Sequence, residues 1–153
     1  MSIKKDFEKQ LLSAIKDNDI TKKNVLRMAL SSIKLSEVEL GKELTDPEIY
    51  AILQKEIKTR EETISEAEKA NRIEMIKPNL DEIAIIKEYL PKELSEEELI
   101  SLIKSIVHKL GATTIKETGL VMKTAIQEVQ GKASNDRISK IVREILSNNP
   151  SAQ

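Results

Sequence analysis

The 153-residue chain has no cysteine, which excludes disulfides, thiol nucleophiles and cysteine-ligated zinc and accords with a reducing compartment. Tryptophan is also missing, and one phenylalanine and two tyrosines are the whole aromatic content. Leucine, isoleucine, valine and alanine must therefore build any core. Glycine and proline number four each, while lysine, glutamate, isoleucine and leucine dominate, a balance that favours an all-α fold. No run approaches the ~18 consecutive apolar residues of a membrane span. The opening MSIKKDFEKQ is charged throughout and has no apolar stretch of the secretory kind. The expectation is a soluble, cytoplasmic protein with no membrane partner.

Charge is nearly balanced, at −1 overall, but unevenly placed. Residues 1–98 hold 17 lysines and arginines against 22 acidic residues; residues 99–153 hold eight against four. A basic module at the C-terminal end has the sign that meets a phosphate backbone, although the bias is mild.

Apolar spacing divides the chain into helices. Ile3, Phe7, Leu11, Ala14 and Ile15 predict a first helix, broken by Asp17-Asn18-Asp19. A second runs from about Thr21 to Leu40, with Val25, Ala29, Ile33 and Leu40 inward, and stops at Gly41. Thr45-Asp46-Pro47-Glu48 is a capping box with proline in the first turn, opening a third helix to about Ala70. Its inner arc holds Ile49, Ile52, Leu53, Ile57, Ile64 and Ala67, and Glu56 and Arg60 fall inside that arc. From Ile73 to Leu90 the apolar positions return, with Pro78 predicting either a kink or a start near Asn79.

Lys92 to Ser95 is the best candidate boundary, dividing an N-terminal domain of about four helices over 1–91 from a three-helix domain over 92–153. Ser95-Glu96-Glu97-Glu98 reads as a second capping box, opening a helix that ends at Gly111. Residues 113–129 give a short piece and then a helix bent at Gly119. Gly131 turns the chain and Ser134 caps a last helix to Leu146.

Sites for chemistry are few. The single histidine, His108, has no glutamate three residues before it, so the di-iron step is missing; lying opposite the apolar arc of its helix, it reads as an exposed surface residue, with weak phosphate or pH sensing as the functional alternative. There is no nucleophile elbow, no histidine relay and no glycine-rich phosphate loop. No catalytic residue, metal or cofactor is expected, and the chain reads as a non-enzyme. Glu56 and Arg60 are either an ion pair that fixes helix register or part of a polar pocket for a ligand.

The stretch from Gly119 to Leu146 reads as a basic helical hairpin. Arg137, Lys140 and Arg143 share the outer side of the last helix, Lys123 faces outward on the preceding one, and Lys132 lies in the turn. Spacing alone fits either an ordinary solvated helix face or a phosphate-binding one, since cations near a helix N-terminus position phosphates. No aromatic is near to stack on unpaired bases, so a structured RNA fits better than a single strand.

Several short motifs follow one another along the chain: Arg27-Met28 before Ser31-Ser32-Ile33; Glu56, Lys58 and Arg60; Ala70-Asn71-Arg72; Tyr89-Leu90-Pro91 with Leu94-Ser95-Glu96-Glu97-Glu98-Leu99; Gly111-Ala112; Gly119 with Val121-Met122; and Gly131-Lys132-Ala133. In this order they resemble the YqeY family, small helical proteins similar to the tail of the B subunit of glutamyl-tRNA amidotransferase. The resemblance implies a helical N-terminal domain joined to a three-helix domain related to a tRNA-holding tail.

On this chain the implied RNA-facing residues are Lys123, Lys132, Arg137, Lys140 and Arg143, with tRNA or another structured RNA as partner. The chain departs from the pattern at Leu120, where lysine is common, at Asn71, where glycine is usual, and at Ser134-Asn135, where Asp-Gly or Asp-Pro is usual. A helical adaptor for a protein of a translation or amidotransferase complex is the alternative. A part in glutamine-dependent carbon–nitrogen ligation would come by family association alone, since no residues for it are found.

Overall fold

The computed structural model describes residues 2–148, and those residues form seven α-helices and no strand. They divide into two compact units, Met1–Leu90 and Pro91–Gln153.

The first unit contains α1 (Ile3–Lys16), α2 (Ile20–Leu40), α3 (Asp46–Lys69) and α4 (Ile76–Lys87). Side-chain caps set the starts of the first three. Ser2 and Asp19 accept the amides of Lys5 and Lys22, and Thr45 and Glu48 exchange both bonds of a capping box. Phe7, Val25, Leu26, Ala29, Leu30, Ile33, Ile49, Leu53, Ile57, Ile83 and Ile86 make one apolar cluster. Against it Phe7 meets Tyr89 edge-on, with ring centroids 4.7 Å apart and planes at 86°.

Three details differ from the sequence reading. Leu40, expected inward, is 59% exposed, because it ends α2 beyond the turns that pack. α4 starts at Ile76, so Pro78 sits in its first turn, where the missing N–H has no intrahelical acceptor to lose. A 3₁₀ turn over Ile73–Met75 precedes it, and Ile73 and Leu80 face solvent despite their apolar spacing. Asn71 has φ 57°, a left-handed backbone that glycine adopts freely and asparagine tolerates.

Both tyrosines belong to this unit. Burial, with help from the Glu88 and Asp6 carboxylates, pushes the Tyr89 phenol up to about 12, and burial with Asp46 raises Tyr50. The folded state thus favours the neutral phenol. This contribution to stability is whole below the ordinary tyrosine value of about 10 and is lost as pH climbs toward about 12. In a phenolate absorbance titration the native chain should ionise above the ordinary value, and the urea-unfolded chain at it. An ordinary midpoint for both rings in the native chain would contradict this packing.

The second unit contains α5 (Glu96–Leu110), α6 (Thr118–Val129) and α7 (Asn135–Ser147). Leu99, Ile103, Ile106, Val121, Ala125, Val129, Ile138, Ile141, Val142 and Leu146 are buried together, each at the inward position of its helix. Gly111 closes α5 at φ 64°. Ser95 caps α5 by accepting the Glu98 amide, but its hydroxyl donates to the Glu98 carboxylate, so the reciprocal half of the expected capping box is replaced by a side-chain bond. A 3₁₀ turn over Ile115–Glu117 leads into α6, and Gly119 lies in that helix's first turn.

Candidate nucleic-acid interface

The hairpin of α6 and α7 turns on two consecutive left-handed residues, Gln130 at φ 51° and Gly131 at φ 79°. For glycine this conformation is free of Cβ strain; for glutamine it costs on the order of 1 kcal/mol. Ser134 then caps α7 by accepting the Arg137 amide.

The extended residues before α5 are strapped to this turn. Leu94 N–H donates to the Lys132 carbonyl at 2.8 Å, and the Leu94 carbonyl accepts from Arg137 Nη2 at 3.0 Å. Arg137 Nη2 also reaches Glu96 Oε2 at 3.3 Å. Both backbone polar groups of Leu94 are thereby satisfied by the hairpin, while its side chain packs on the core.

This placement sorts the five basic residues singled out by sequence. Arg137 is drawn inward to hold the strap, and its guanidinium is divided between a carbonyl and a carboxylate. Lys123, Lys132, Lys140 and Arg143 are exposed, and among the described residues their side chains enter no ion pair. On α7 the basic arc is interrupted: Asp136 and Glu144 stand one turn before and after Lys140, so they share its side of the helix.

The α7 N-terminus is a poor phosphate seat. Ser134 already occupies its cap, and Asp136 brings negative charge into the first turn. The cations and not the helix end are what this surface offers a polyanion. Carboxylates gather at the start of α5, where Glu93, Glu96, Glu97 and Glu98 flank Leu94, so the strap brings negative charge to the Lys132 side of the hairpin and leaves Lys123, Lys140 and Arg143 as the cations away from it on the helices. From residue 99 onward eight basic residues outnumber four acidic ones.

In the first unit, Arg60 is the one buried charged side chain among the described residues, at 6% exposure. Its Nη1 donates to Glu56 Oε2 at 2.9 Å and to the Glu56 carbonyl at 3.0 Å; its Nε donates to Glu82 Oε2 at 3.2 Å. Nη2 lies 3.9 Å from Met28 Sδ, and the Ser32 hydroxyl donates to the other Glu56 oxygen at 3.4 Å. The arginine thus ties α2, α3 and α4 together, and no buried side-chain polar atom among the described residues lacks a partner.

Of the two sequence readings of Glu56 and Arg60, the register-fixing ion pair is the one these contacts describe. Sequence reasoning missed Glu82. Its signal was available: it stands three residues after Asn79 and four before the buried Ile86, on the inward side of α4.

His108 is exposed, as its position opposite the apolar arc predicts. Among the described residues no three histidine, cysteine or carboxylate side chains gather as a metal site. No helix among them is long and apolar enough to cross a membrane.

Two helical units, one closed around a buried arginine and the other presenting lysines and an arginine to solvent, define a small all-α protein. The chain belongs to the YqeY-like protein family, which matches residues 4–146. It is 29% identical over 136 residues to a protein of Lachancea thermotolerans named altered inheritance of mitochondria protein 41, mitochondrial, covering 87% of this chain and 69% of that one. It is 26% identical over 89 residues to uncharacterized protein C22F3.15 of Schizosaccharomyces pombe, covering 58% of this chain and 72% of the relative.

Proposed function

We propose that the protein is a non-catalytic accessory module that binds tRNA or another structured RNA through its C-terminal unit. The observation that carries this reading is the group of exposed cations, Lys123, Lys132, Lys140 and Arg143, on and beside a hairpin whose turn is locked by the Leu94 strap. A rigid support matters because phosphate contacts define orientation only when the charges are held in place. Arg137 supports the surface from behind: by pinning Leu94 it fixes the turn that carries Lys132.

Both tyrosines and the phenylalanine lie outside this unit, so no aromatic platform is present for unpaired bases. Recognition then works on the shape of a folded RNA, through backbone contacts. The motif resemblance drawn from the sequence, which implies kinship with an amidotransferase tail, is what suggests tRNA as the RNA class, and the mitochondrial name of one relative leaves the compartment open beside the cytoplasmic reading.

Competition binding with the whole chain tests the proposal. A folded tRNA transcript should displace a labelled tRNA at a concentration about tenfold lower than a single-stranded homopolymer of equal length. Equal displacement by the two would remove shape recognition from the account.

A further inference from the structure

The side of α2 that faces away from the core is patterned in a way the RNA reading does not use. Val25, Leu26, Ala29, Leu30 and Ile33 are its buried residues. Opposite them Asn24, Met28, Ser31, Leu35 and Val38 are all exposed and recur at steps of four, three, four and three residues, with Met28 at the margin, where its Sδ also meets Arg60 Nη2 at 3.9 Å. Those are the seam positions of a coiled coil. Met28, Leu35 and Val38 expose 51%, 60% and 79% of their surface. Single exposed apolar residues are ordinary, but three on one line along an unbroken helix make a stripe. Ser31 leaves room for close approach at its middle, and Asn24 ends the line with a polar residue.

The charges beside the stripe say what fits it. One edge carries Arg27 and Lys34, both exposed. The other carries Ser32 and Glu39, and at the level of Ser32 the Glu56 carboxylate of α3 is joined to it by the Ser32 hydroxyl. In a parallel pair of helices, each residue of the first edge meets the opposite edge of its neighbour five residues further on. Lys34 then faces Glu39 of a second copy, while Arg27 faces the uncharged Ser32, because the Glu56 carboxylate beside it is already engaged by Arg60. An antiparallel pair would instead bring the basic edges together.

We infer that α2 is the seam of a parallel, two-fold association between two copies of this chain. Two heptads bury little surface, so the dimer is a weak one that depends on concentration. The seam lies wholly within the first unit and stands whether or not the second binds RNA.

Sedimentation velocity on the full chain, from about 10 µM to about 1 mM, tests the inference. Wild type should pass from monomer to dimer across that range. Leu35→Glu should remain monomeric with an unchanged far-UV spectrum, since Leu35 lies on the surface. Lys34→Glu and Glu39→Lys should each weaken the dimer about fivefold, and the double exchange should restore it to within about twofold. A chain that stays monomeric throughout, or a Leu35→Glu variant that still dimerises, would overturn the seam. A Lys34→Glu variant that dimerises more tightly would overturn the parallel arrangement, because only an antiparallel pair is relieved by that change.

Discussion

Arg60→Ala should destabilise the N-terminal unit by about 2–3 kcal/mol. The guanidinium satisfies carboxylates on α3 and α4 and the Glu56 carbonyl, and its removal leaves two negative charges facing a cavity. Stranding a partner of a fully buried pair costs roughly 3–5 kcal/mol. Here the Glu56 and Glu82 side chains keep 22% and 29% of their exposure, so water relieves part of the penalty and the lower figure applies.

Tyrosine fluorescence isolates the effect, because Tyr50 and Tyr89 lie in the first unit and the chain has no tryptophan. In urea the tyrosine transition should move to lower denaturant. The part of the helical signal that comes from the second unit should not move. Combining Arg60→Ala with Glu56→Ala should cost less than the sum of the two by about 1 kcal/mol, as expected of groups in direct contact. An Arg60→Ala shift below about 0.5 kcal/mol would return the cluster to the reading of a ligand pocket.

The second large effect concerns RNA. Replacing Lys123, Lys140 and Arg143 together with alanine should weaken tRNA binding roughly 30- to 150-fold. This follows from three exposed charge contacts of somewhat under about 1 kcal/mol each. Folding should be untouched, since all three side chains are exposed and their helices keep their apolar faces. Arg137 is left out of the set by design. Its loss would release Leu94 and displace the hairpin turn, so weaker binding by an Arg137 variant would not separate an RNA contact from a structural one. If the triple variant held tRNA as tightly as wild type, the hairpin would not be the binding face.

How much of this was legible in the sequence follows from how local each determinant is. The α3 start was readable because Thr45 and Glu48 act over three residues, and both bonds form. The apolar arc of α3 was readable because Ile49, Leu53 and Ile57 face one core. Pro78 misled because its effect depends on its place in the helix: in a first turn it removes an amide that had no acceptor.

Long-range pairing was the part that spacing could not supply. Arg137 looked like its neighbours on α7 until the chain brought Leu94, 43 residues earlier, against it. Glu82 joined Arg60 across 22 residues and from another helix. The α2 stripe escaped notice because exposed apolar residues weaken a helix's inward pattern instead of announcing a second face. Leu40 belongs to neither face.

The salt dependence of tRNA binding by the intact wild-type chain is the most direct measurement of the central claim. With Lys123, Lys132, Lys140 and Arg143 as the phosphate contacts, the logarithm of the binding constant should fall against the logarithm of salt concentration with a slope of about −3 to −4. A slope near zero, or no detectable binding at about 50 mM salt, would contradict an electrostatic grip on RNA by this unit.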